Sequence, residues 1–157
     1  MRVLLITDVQ YDFLPGGALA VPQGDEIIPV INNIQDKFDL VVATQDWHPA
    51  GHESFASSHP GQQLFDIIEW HGIEQLLWPD HCVQQSHGAR LDTRLDQSKI
   101  AAIFRKGMDP AIDSYSAFFD NEKKVSTGLS DYLKGKGTKE LFVCGLAADY
   151  CVLFSGM

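Results

Sequence analysis

Cysteine is scarce in this sequence, and it is not arranged as in a disulfide-rich protein. Cys82, Cys144 and Cys151 are its three cysteines, an odd number without a C-x-x-C pair. Small secreted domains that depend on disulfides carry many more cysteines, usually an even number. The cysteine content therefore argues against a disulfide scaffold and favours a reducing compartment, so we expect a cytoplasmic protein.

The sequence also lacks a long hydrophobic run and a recognisable targeting segment. No apolar stretch reaches the roughly 20 residues that a membrane-spanning helix needs. Arg2 is followed at once by a strand-like apolar run, and no signal-peptide pattern with a cleavage site is present. We therefore expect neither a signal peptide nor a membrane anchor.

Basic residues are few, with 12 Lys and Arg against 21 Asp and Glu, for a formal net charge of −9 at pH 7. Such an acidic chain repels nucleic acids and acidic membranes, so we expect neither as a partner. Of the 157 residues, 45% are hydrophobic. A chain of this length and hydrophobic content is long enough for one domain with a substantial core and too short for two ordinary domains.

Four short apolar runs with strand character alternate with helical or longer connecting segments. The runs are Val3 to Val9, Asp39 to Thr44, Lys99 to Phe104 and Leu141 to Cys144. The predicted helices run from Asp25 to about Lys37, from Ser126 to about Lys134, within Leu64 to Leu77 and within Gly88 to Leu95. This alternation is typical of the α/β class with a parallel sheet.

Four reactive side chains lie at or just after the C-terminal ends of these strands. They are Asp8, Asp46, Lys106 and Cys151. In open α/β sheets, ligands bind outside these ends, close to the point where the strand order reverses. We therefore expect the four side chains to meet in one site.

Cys151 is the candidate nucleophile. Gly145 ends the last apolar run, and Asp149 can cap a helix whose first turn contains Cys151. Free backbone N–H groups and the helix dipole at that position favour the thiolate over the thiol. The alternative is a packing role, which is common for cysteine and which we expect for Cys82 and Cys144.

A thiol nucleophile needs a base, and Asp8 is the candidate. A partly desolvated carboxylate near a thiol has its pKa raised towards the working range of a general base. Lys106 would counter that shift, keep Asp8 ionised and stabilise the thiolate. Considered separately, Asp8 could instead be a cap or turn residue, and Lys106 a solvated surface lysine.

The tripeptide Asp46-Trp47-His48 has the spacing of two metal ligands. Residues i and i+2 at a strand end project to the same side, and a carboxylate with an imidazole can supply two ligands. His81 and His52 are both candidates for a third ligand. The alternative is an ordinary hydrogen-bonded pair.

Three aromatic residues, Phe13, Trp78 and Tyr115, are candidates for the walls of a pocket that binds a flat ring. Ordinary packing in the core or in loops explains them about equally well.

Five ordered segments resemble the isochorismatase-like cysteine hydrolase superfamily, and within it the nicotinamidase branch. They are TDVQYDFLPGGALAV, TQDWHPAGHESFA, WPDHCVQQSHGA, RKGMDPAIDSYSAFFDN and CGLAADYCV. Together they cover almost the whole chain, and five ordered motifs are more specific than any one of them. The resemblance implies an enzyme of NAD salvage that converts nicotinamide to nicotinate and ammonia through a cysteine thioester, with pyrazinamide as a further candidate substrate.

The resemblance also implies roles for individual residues. It implies a catalytic triad of Asp8, Lys106 and Cys151. The backbone N–H groups of Ala147 and Cys151 would form an oxyanion hole, with a cis peptide bond before Ala147.

A metal site and a ring-binding site are implied in the same way. The metal ligands would be Asp46, His48 and His81, with His52 as the candidate fourth. The metal is usually zinc in this family, sometimes iron or manganese, and it binds the pyridine nitrogen. Phe13, Trp78 and Tyr115 match positions that hold the substrate ring between them.

The fold implied by the resemblance is a three-layer α-β-α domain with strand order 3-2-1-4-5-6. This chain supplies strands 3, 2, 1 and 4, so we expect residues 1–157 to form a single hydrolase domain that is incomplete at its C-terminal end. Leu141 to Cys144 would then be an exposed edge, which favours association with further copies and predicts low solubility or weak activity.

Two other functions are compatible with the sequence. One is another hydrolase of the superfamily, acting on an enol ether or an N-carbamoyl group, although those lineages generally lack the histidine set found here. The other is an inactive fragment that binds metal or pyridines without releasing ammonia.

Overall fold

The computed structural model describes residues 1–157. The strands are β1 (Arg2–Thr7), β2 (Leu40–Asp46), β3 (Ile67–Trp70), β4 (Ile73–Leu76), β5 (Ile100–Lys106) and β6 (Glu140–Gly145). The α-helices are α1 (Ile27–Ile34), α2 (Leu129–Gly135) and α3 (Leu153–Gly156). Short 3-10 turns lie at Tyr11–Phe13, Gly24–Glu26, Gln35–Lys37 and Ala56–Ser58, and a π-helical turn spans Ala148–Val152. None of the helices has the length and apolar character needed to cross a membrane.

Four parallel strands form the main sheet, in the order β5-β2-β1-β6. If only the strands of this sheet are counted along the chain, β5, β2, β1 and β6 are the third, second, first and fourth, so the α/β class and the order 3-2-1-4 are confirmed. Neighbouring strands run in the same direction because long crossover segments return the chain to the starting edge of the sheet. The strand order reverses at β1, and β6 lies at one edge of the sheet.

Successive residues of β1 face two different hydrophobic layers. Leu4 and Ile6 belong to the core beneath α1, whereas Val3 and Leu5 belong to the core beneath α2. Side chains of a strand alternate between the two faces of a sheet, so a sheet covered on both faces requires continuous apolar runs. The three-layer α-β-α arrangement is therefore confirmed.

The two helices that cover the sheet are shorter than the sequence suggests. α1 forms only the middle of the segment from Asp25 to Lys37, and a 3-10 turn lies on either side of it. α2 begins three residues after Ser126, because the Ser126 hydroxyl accepts the N–H of Gly128 (3.0 Å) before the helix starts. Neither helix has a side-chain hydrogen bond at its N-cap.

A β-hairpin occupies the segment Leu64 to Leu77, where the sequence predicts a helix. β3 and β4 pair in antiparallel fashion, with Trp70 opposite Ile73. His71 and Gly72 connect them, and both have positive φ angles (51° and 81°). Two-residue turns of this kind match the twist of a hairpin. The helical prediction is wrong here because the three isoleucines of the segment are β-branched and favour strands.

The predicted helix between Gly88 and Leu95 is also wrong. The N–H of Asp92 donates to a carbonyl in the loop after β1 (3.0 Å). The carbonyl of Ala89 accepts the side-chain amides of Gln10 and Gln45, each at 2.8 Å. Buried backbone groups need partners, and these tertiary contacts supply the partners that a helix would otherwise provide.

Candidate active site

A buried lysine lies at the centre of the candidate site. Lys106 is the last residue of β5 and is 2% exposed. Its Nζ lies 3.0 Å from Oδ2 of Asp8, 2.7 Å from Oδ1 of Asp46 and 3.4 Å from Sγ of Cys151. It also donates to the carbonyl oxygen of Ser114 (2.9 Å). One ammonium group therefore contacts two carboxylates and the thiol, and Lys106 is not a solvated surface residue.

The parallel sheet explains why these residues meet. Asp46 is the last residue of β2 and is paired in register with Lys106. Asp8 follows β1 directly, and Cys151 lies in the π-helical turn after β6. The four side chains thus gather at the C-terminal edge of the sheet, on both sides of the point where the strand order reverses. This is where ligands bind in open α/β sheets.

Asp8 is fully buried and held in one orientation. Thr44 Oγ1 donates to its Oδ1 (2.6 Å), which leaves Oδ2 facing Lys106. Burial raises the pKa of Asp8, and the charge of Lys106 offsets only part of that effect. A carboxyl group with a raised pKa beside a thiol can accept a proton and later return it.

Cys151 lies at the start of the last helix, as expected, but its surroundings differ from the prediction. The turn that contains it is π-helical, and no side chain, including that of Asp149, caps it. Burial raises the pKa of Cys151 well above its ordinary value, and Lys106 offsets only part of this. The expectation of a favoured thiolate is wrong because burial, together with the carboxylates of Asp8 and Asp46, raises the pKa of the thiol by more than Lys106 lowers it. A thiol with a raised pKa becomes an effective nucleophile once a nearby base takes its proton.

Asp46, His48 and His81 form a compact group of potential metal ligands. One atom from each lies within 4.8 Å of the others, and all three residues are buried. Oδ2 of Asp46 is 3.3 Å from Nε2 of His48 and 3.7 Å from Nε2 of His81. Burial would raise the pKa of Asp46, but Lys106 and His48 together lower it well below its usual value. The carboxylate is therefore ionised, as a metal ligand must be.

Both histidines of this group are oriented for a cation. Nδ1 of His48 lies 2.9 Å from the carbonyl oxygen of Gly107, and Nδ1 of His81 lies 2.7 Å from that of Pro79. A ring that donates from Nδ1 keeps a lone pair on Nε2, which is the usual state of metal-binding histidines. Nε2 of His48 is buried and makes no hydrogen bond, although Oδ2 of Asp46 lies 3.3 Å away. Two imidazoles and a carboxylate arranged in this way fit a divalent cation.

His52 lies beside this group without joining it. Its ring centroid is 4.5 Å from that of His48, and its Nδ1 lies 2.8 Å from Oγ of Ser54. Its Nε2 is buried and has no hydrogen-bond partner. Burial, together with the neighbouring His48, lowers the pKa of His52 to about 4, so the ring is neutral at pH 7. Its role as a fourth ligand stays a prediction.

Gly107 leaves no room for a side chain against His48. Its φ angle is +64°, and an added Cβ would lie 2.5 Å from Cε1 of His48. We expect Gly107→Ala to displace the ring and to lower the affinity for a divalent cation at least about tenfold, measured with zinc as the probe ion in competition with a chromophoric chelator. Gly137→Ala is the matched control, because Gly137 has a φ of +71° but open space around its Cβ position. Equal zinc affinities in the two variants would contradict this expectation.

A cavity of about 330 Å³ adjoins the reactive groups. Its lining includes Asp46, His81 and Cys151 as well as the three predicted aromatic residues Phe13, Trp78 and Tyr115. Nε1 of Trp78 donates to the hydroxyl of Tyr115 (3.2 Å), and the two rings are nearly perpendicular. A largely apolar cavity with a few polar groups suits a flat aromatic molecule that carries one polar substituent.

The turn that precedes Cys151 also faces the cavity. The peptide bond between Leu146 and Ala147 is cis, as the resemblance implied. Ala147 and Cys151 both line the cavity. Their backbone N–H groups as an oxyanion hole stay a prediction.

Three further residues belong to the site although the sequence analysis missed them. Asp113 lines the cavity, is 3% exposed, and has its Oδ1 4.0 Å from Nε2 of His48. Tyr150 lines the cavity and packs edge-on against Trp78, with ring centroids 4.9 Å apart. Thr44 orients Asp8, and its position two residues before Asp46 on one strand was an available signal. Asp113 lies in an irregular segment, where no periodic pattern indicates its direction.

Comparison with known proteins agrees with this geometry. The sequence model of the isochorismatase domain matches residues 2–156. The nicotinamidase of Escherichia coli (strain K12) is 51% identical over 158 residues, which cover 98% of this chain and 74% of that protein. A solved Acinetobacter baumanii nicotinamidase pyrazinamidease is 46% identical with a TM-score of 0.96, over 98% of this chain and 74% of that one. A Pyrococcus horikoshii pyrazinamidase in complex with zinc is 37% identical with a TM-score of 0.76, over 98% and 75%. The chain therefore belongs to the isochorismatase family.

Proposed function

We propose that this chain is a metal-dependent amidase that hydrolyses nicotinamide to nicotinate and ammonia, a step of NAD salvage. The observation that carries the proposal is the contact of one buried ammonium, on Lys106, with both Asp8 and Cys151 beside an aromatic cavity. A thiol, a base and a cation in mutual reach are the parts that acyl transfer from an amide requires. The Escherichia coli and Acinetobacter baumanii proteins compared above are named nicotinamidases.

The cavity supports an aromatic amide as the substrate. Phe13, Trp78 and Tyr115 offer ring faces and edges to a pyridine, while Cys151 lies where a carboxamide substituent could reach it. Aromatic walls bind flat rings through offset or edge-to-face contacts. Pyrazinamide has a ring of the same shape, so we propose it as a second substrate.

In the first half-reaction, Asp8 takes the proton of the Cys151 thiol. Sγ then attacks the carboxamide carbon, and the electron pair of the C=O bond moves onto the oxygen. When this intermediate collapses, the C–N bond breaks and Asp8 returns the proton to the departing ammonia. The acyl group remains on Cys151 as a thioester, and Lys106 stabilises the thiolate and the carboxylate in turn.

Backbone donors stabilise the oxyanion in this scheme. The N–H groups of Ala147 and Cys151 are the proposed donors, because both residues line the cavity next to the nucleophile. One such donor lowers the barrier by roughly 3–4 kcal/mol when it meets the developing charge.

The second half-reaction releases the acid. Asp8, ionised again after ammonia has left, removes a proton from a water molecule that attacks the thioester carbon. The same N–H groups stabilise the second oxyanion. Collapse breaks the C–S bond, and Asp8 returns its proton to the leaving Sγ of Cys151, which regenerates the thiol. The acid product loses its carboxyl proton to water and leaves as nicotinate.

We propose that Asp46, His48 and His81 hold a divalent cation, with His52 as the candidate fourth ligand. Zinc is the proposed ion, since two imidazoles and a carboxylate suit it and the Pyrococcus horikoshii relative was solved with zinc; iron and manganese are alternatives. A bound cation supplies a Lewis-acidic contact for the pyridine nitrogen of the substrate.

We further propose that residues 1–157 act as one hydrolase domain, because the family match extends over residues 2–156. All three cysteines are free thiols. Free thiols suit a reducing compartment, so we propose a cytoplasmic location.

Ammonia release from nicotinamide, with added zinc and after treatment with a chelator, tests the proposed function. We expect release with zinc, loss of release to background on chelation, and recovery when zinc is restored. Asp46 and both histidines cluster beside the cavity, so substrate binding should depend on the cation.

The two rival functions predict different results in the same assay. A hydrolase for enol ethers or N-carbamoyl groups would release no ammonia from nicotinamide, and chelation would leave its own reaction intact. An inactive binding fragment would bind nicotinamide in a calorimeter without releasing ammonia. Either result would reject the proposed function.

A further inference from the structure

β2 extends beyond its neighbour on one side. β1 pairs with β2 only as far as Ile6 opposite Ala43. Asp46, three residues further along β2, is paired on its other side with Lys106 of β5 but has no strand beside it on the β1 side. The N–H and C=O of one strand residue project to the same edge. Those of Asp46 therefore need a partner that the sheet does not supply.

The side-chain amide of Gln10 supplies that partner. Its Oε1 accepts the N–H of Asp46 (2.8 Å), and its Nε2 donates to the C=O of Asp46 (2.8 Å). The same Nε2 donates to the C=O of Ala89 (2.8 Å). A primary amide carries the acceptor and the donor of a peptide group, so Gln10 continues the pairing where β1 has ended. Gln10 is fully buried, so water does not compete for these bonds.

Both carboxylate oxygens of Asp46 face other groups of the site, so the orientation of this side chain matters. Its Oδ1 contacts Lys106 at 2.7 Å, while its Oδ2 faces the Nε2 atoms of His48 and His81. A rotation of the backbone at this residue would move both oxygens together. The position of the carboxylate thus depends on how firmly the end of β2 is held.

We propose that Gln10 is a positioning residue, whose amide fixes the backbone of Asp46 and thereby sets its carboxylate for a divalent cation. This inference rests on the proposed function, because it concerns the cation that Asp46, His48 and His81 would hold. Gln10 does not line the cavity, so it acts through Asp46 rather than on the substrate.

Gln45 provides a matched control. Its Nε2 donates to the same carbonyl of Ala89 (2.8 Å), and its Oε1 accepts from Nε of Arg105 (3.2 Å). It is also buried, but it makes no hydrogen bond to the backbone of Asp46. Methionine has nearly the length of glutamine without its hydrogen bonds. Gln10→Met and Gln45→Met therefore both remove a bond to Ala89, and only Gln10→Met releases Asp46.

The experiment measures zinc affinity by chelator competition, the visible spectrum of the cobalt-substituted protein, and thermal unfolding without metal, for the parent and both variants. Gln10→Met should lower zinc affinity about ten- to hundredfold, whereas Gln45→Met should stay within about twofold of the parent. The cobalt spectrum, which reports ligand geometry, should change only in Gln10→Met. If the two substitutions only destabilise the fold, both variants should unfold at a lower temperature than the parent, and both should keep the cobalt spectrum of the parent.

Equal zinc affinities and cobalt spectra in the two variants would overturn the role of Gln10. If Gln10→Met does not fold, Gln10→Glu replaces it. A neutral glutamic acid has one donor for the two carbonyl groups that Gln10 now binds, so we expect a smaller loss of zinc affinity. Zinc affinity equal to that of the parent would refute the inference. Failure of the parent itself to bind zinc would reject the metal site and the inference together. Zinc binding by the parent with no effect at Gln10 would reject the inference alone.

Discussion

Replacing Cys151 with alanine is expected to abolish ammonia release from nicotinamide, with kcat falling at least about 10³-fold. Asp8 and Lys106 would remain, but no atom could form the thioester. Nicotinate binding, measured by calorimetry, should be largely retained because the aromatic part of the cavity is unchanged. A coupled ammonia assay measures kcat.

Cys144→Ala is the control for this variant. Cys144 lies on β6, its Sγ faces the carbonyl oxygen of Leu5 (3.6 Å), and burial raises its pKa to about 12. It does not line the cavity, so kcat should remain close to that of the parent. Substantial activity in Cys151→Ala would exclude Cys151 as the nucleophile.

Lys106→Met is expected to cost about 3–5 kcal/mol of unfolding free energy, since it removes one partner of a buried ionic group. Asp8 and Asp46 would then lie buried without the ammonium that now separates their charges. Activity should fall with stability, because the thiolate would lose its only contacting cation. Urea unfolding, with the midpoint and the slope fitted separately, measures the stability change.

Lys99→Met is the matched control for that measurement. Lys99 pairs with Asp36 at the surface, where both side chains are exposed, and the loss should be no more than about 1 kcal/mol. Adding Asp8→Asn to Lys106→Met should recover part of the lost stability, because it removes one of the two uncompensated charges. A Lys106→Met protein as stable as Lys99→Met would contradict the ionic role of Lys106.

The gathering of the main reactive residues could be predicted because it depends on a rule of sheet geometry. Asp8, Asp46, Lys106 and Cys151 lie at or beyond the ends of apolar runs, and parallel strands bring such ends to one edge. The positions of the strand ends were therefore enough to predict that these four residues meet, whatever the conformation of the connecting loops. In the structure Asp46 and Lys106 are also paired in register, which this rule does not specify.

The remaining features depend on contacts between distant segments. The raised pKa of Cys151 comes from its burial, which the helix-start pattern does not report. Asp113 reaches the histidine group from an irregular segment. The segment from Gly88 to Leu95 is not helical, because buried glutamine side chains and the loop after β1 take its backbone groups. Local patterns carry no information about such partners.

The single ammonium of Lys106 makes the two halves of the site thermodynamically dependent on each other. Asp46 belongs to the histidine group and Asp8 to the nucleophile, yet both contact the same nitrogen. A cation bound to Asp46 would partly neutralise that carboxylate. The ammonium of Lys106 would then stabilise the negative charges of Asp8 and the Cys151 thiolate more strongly. Such coupling is reciprocal. If a bound cation changes the affinity of a reversible covalent ligand for the Cys151 thiol by some factor, that ligand must change the affinity for the cation by the same factor. A substitution that changes the affinity of this group for a cation would therefore also change the reactivity of Cys151.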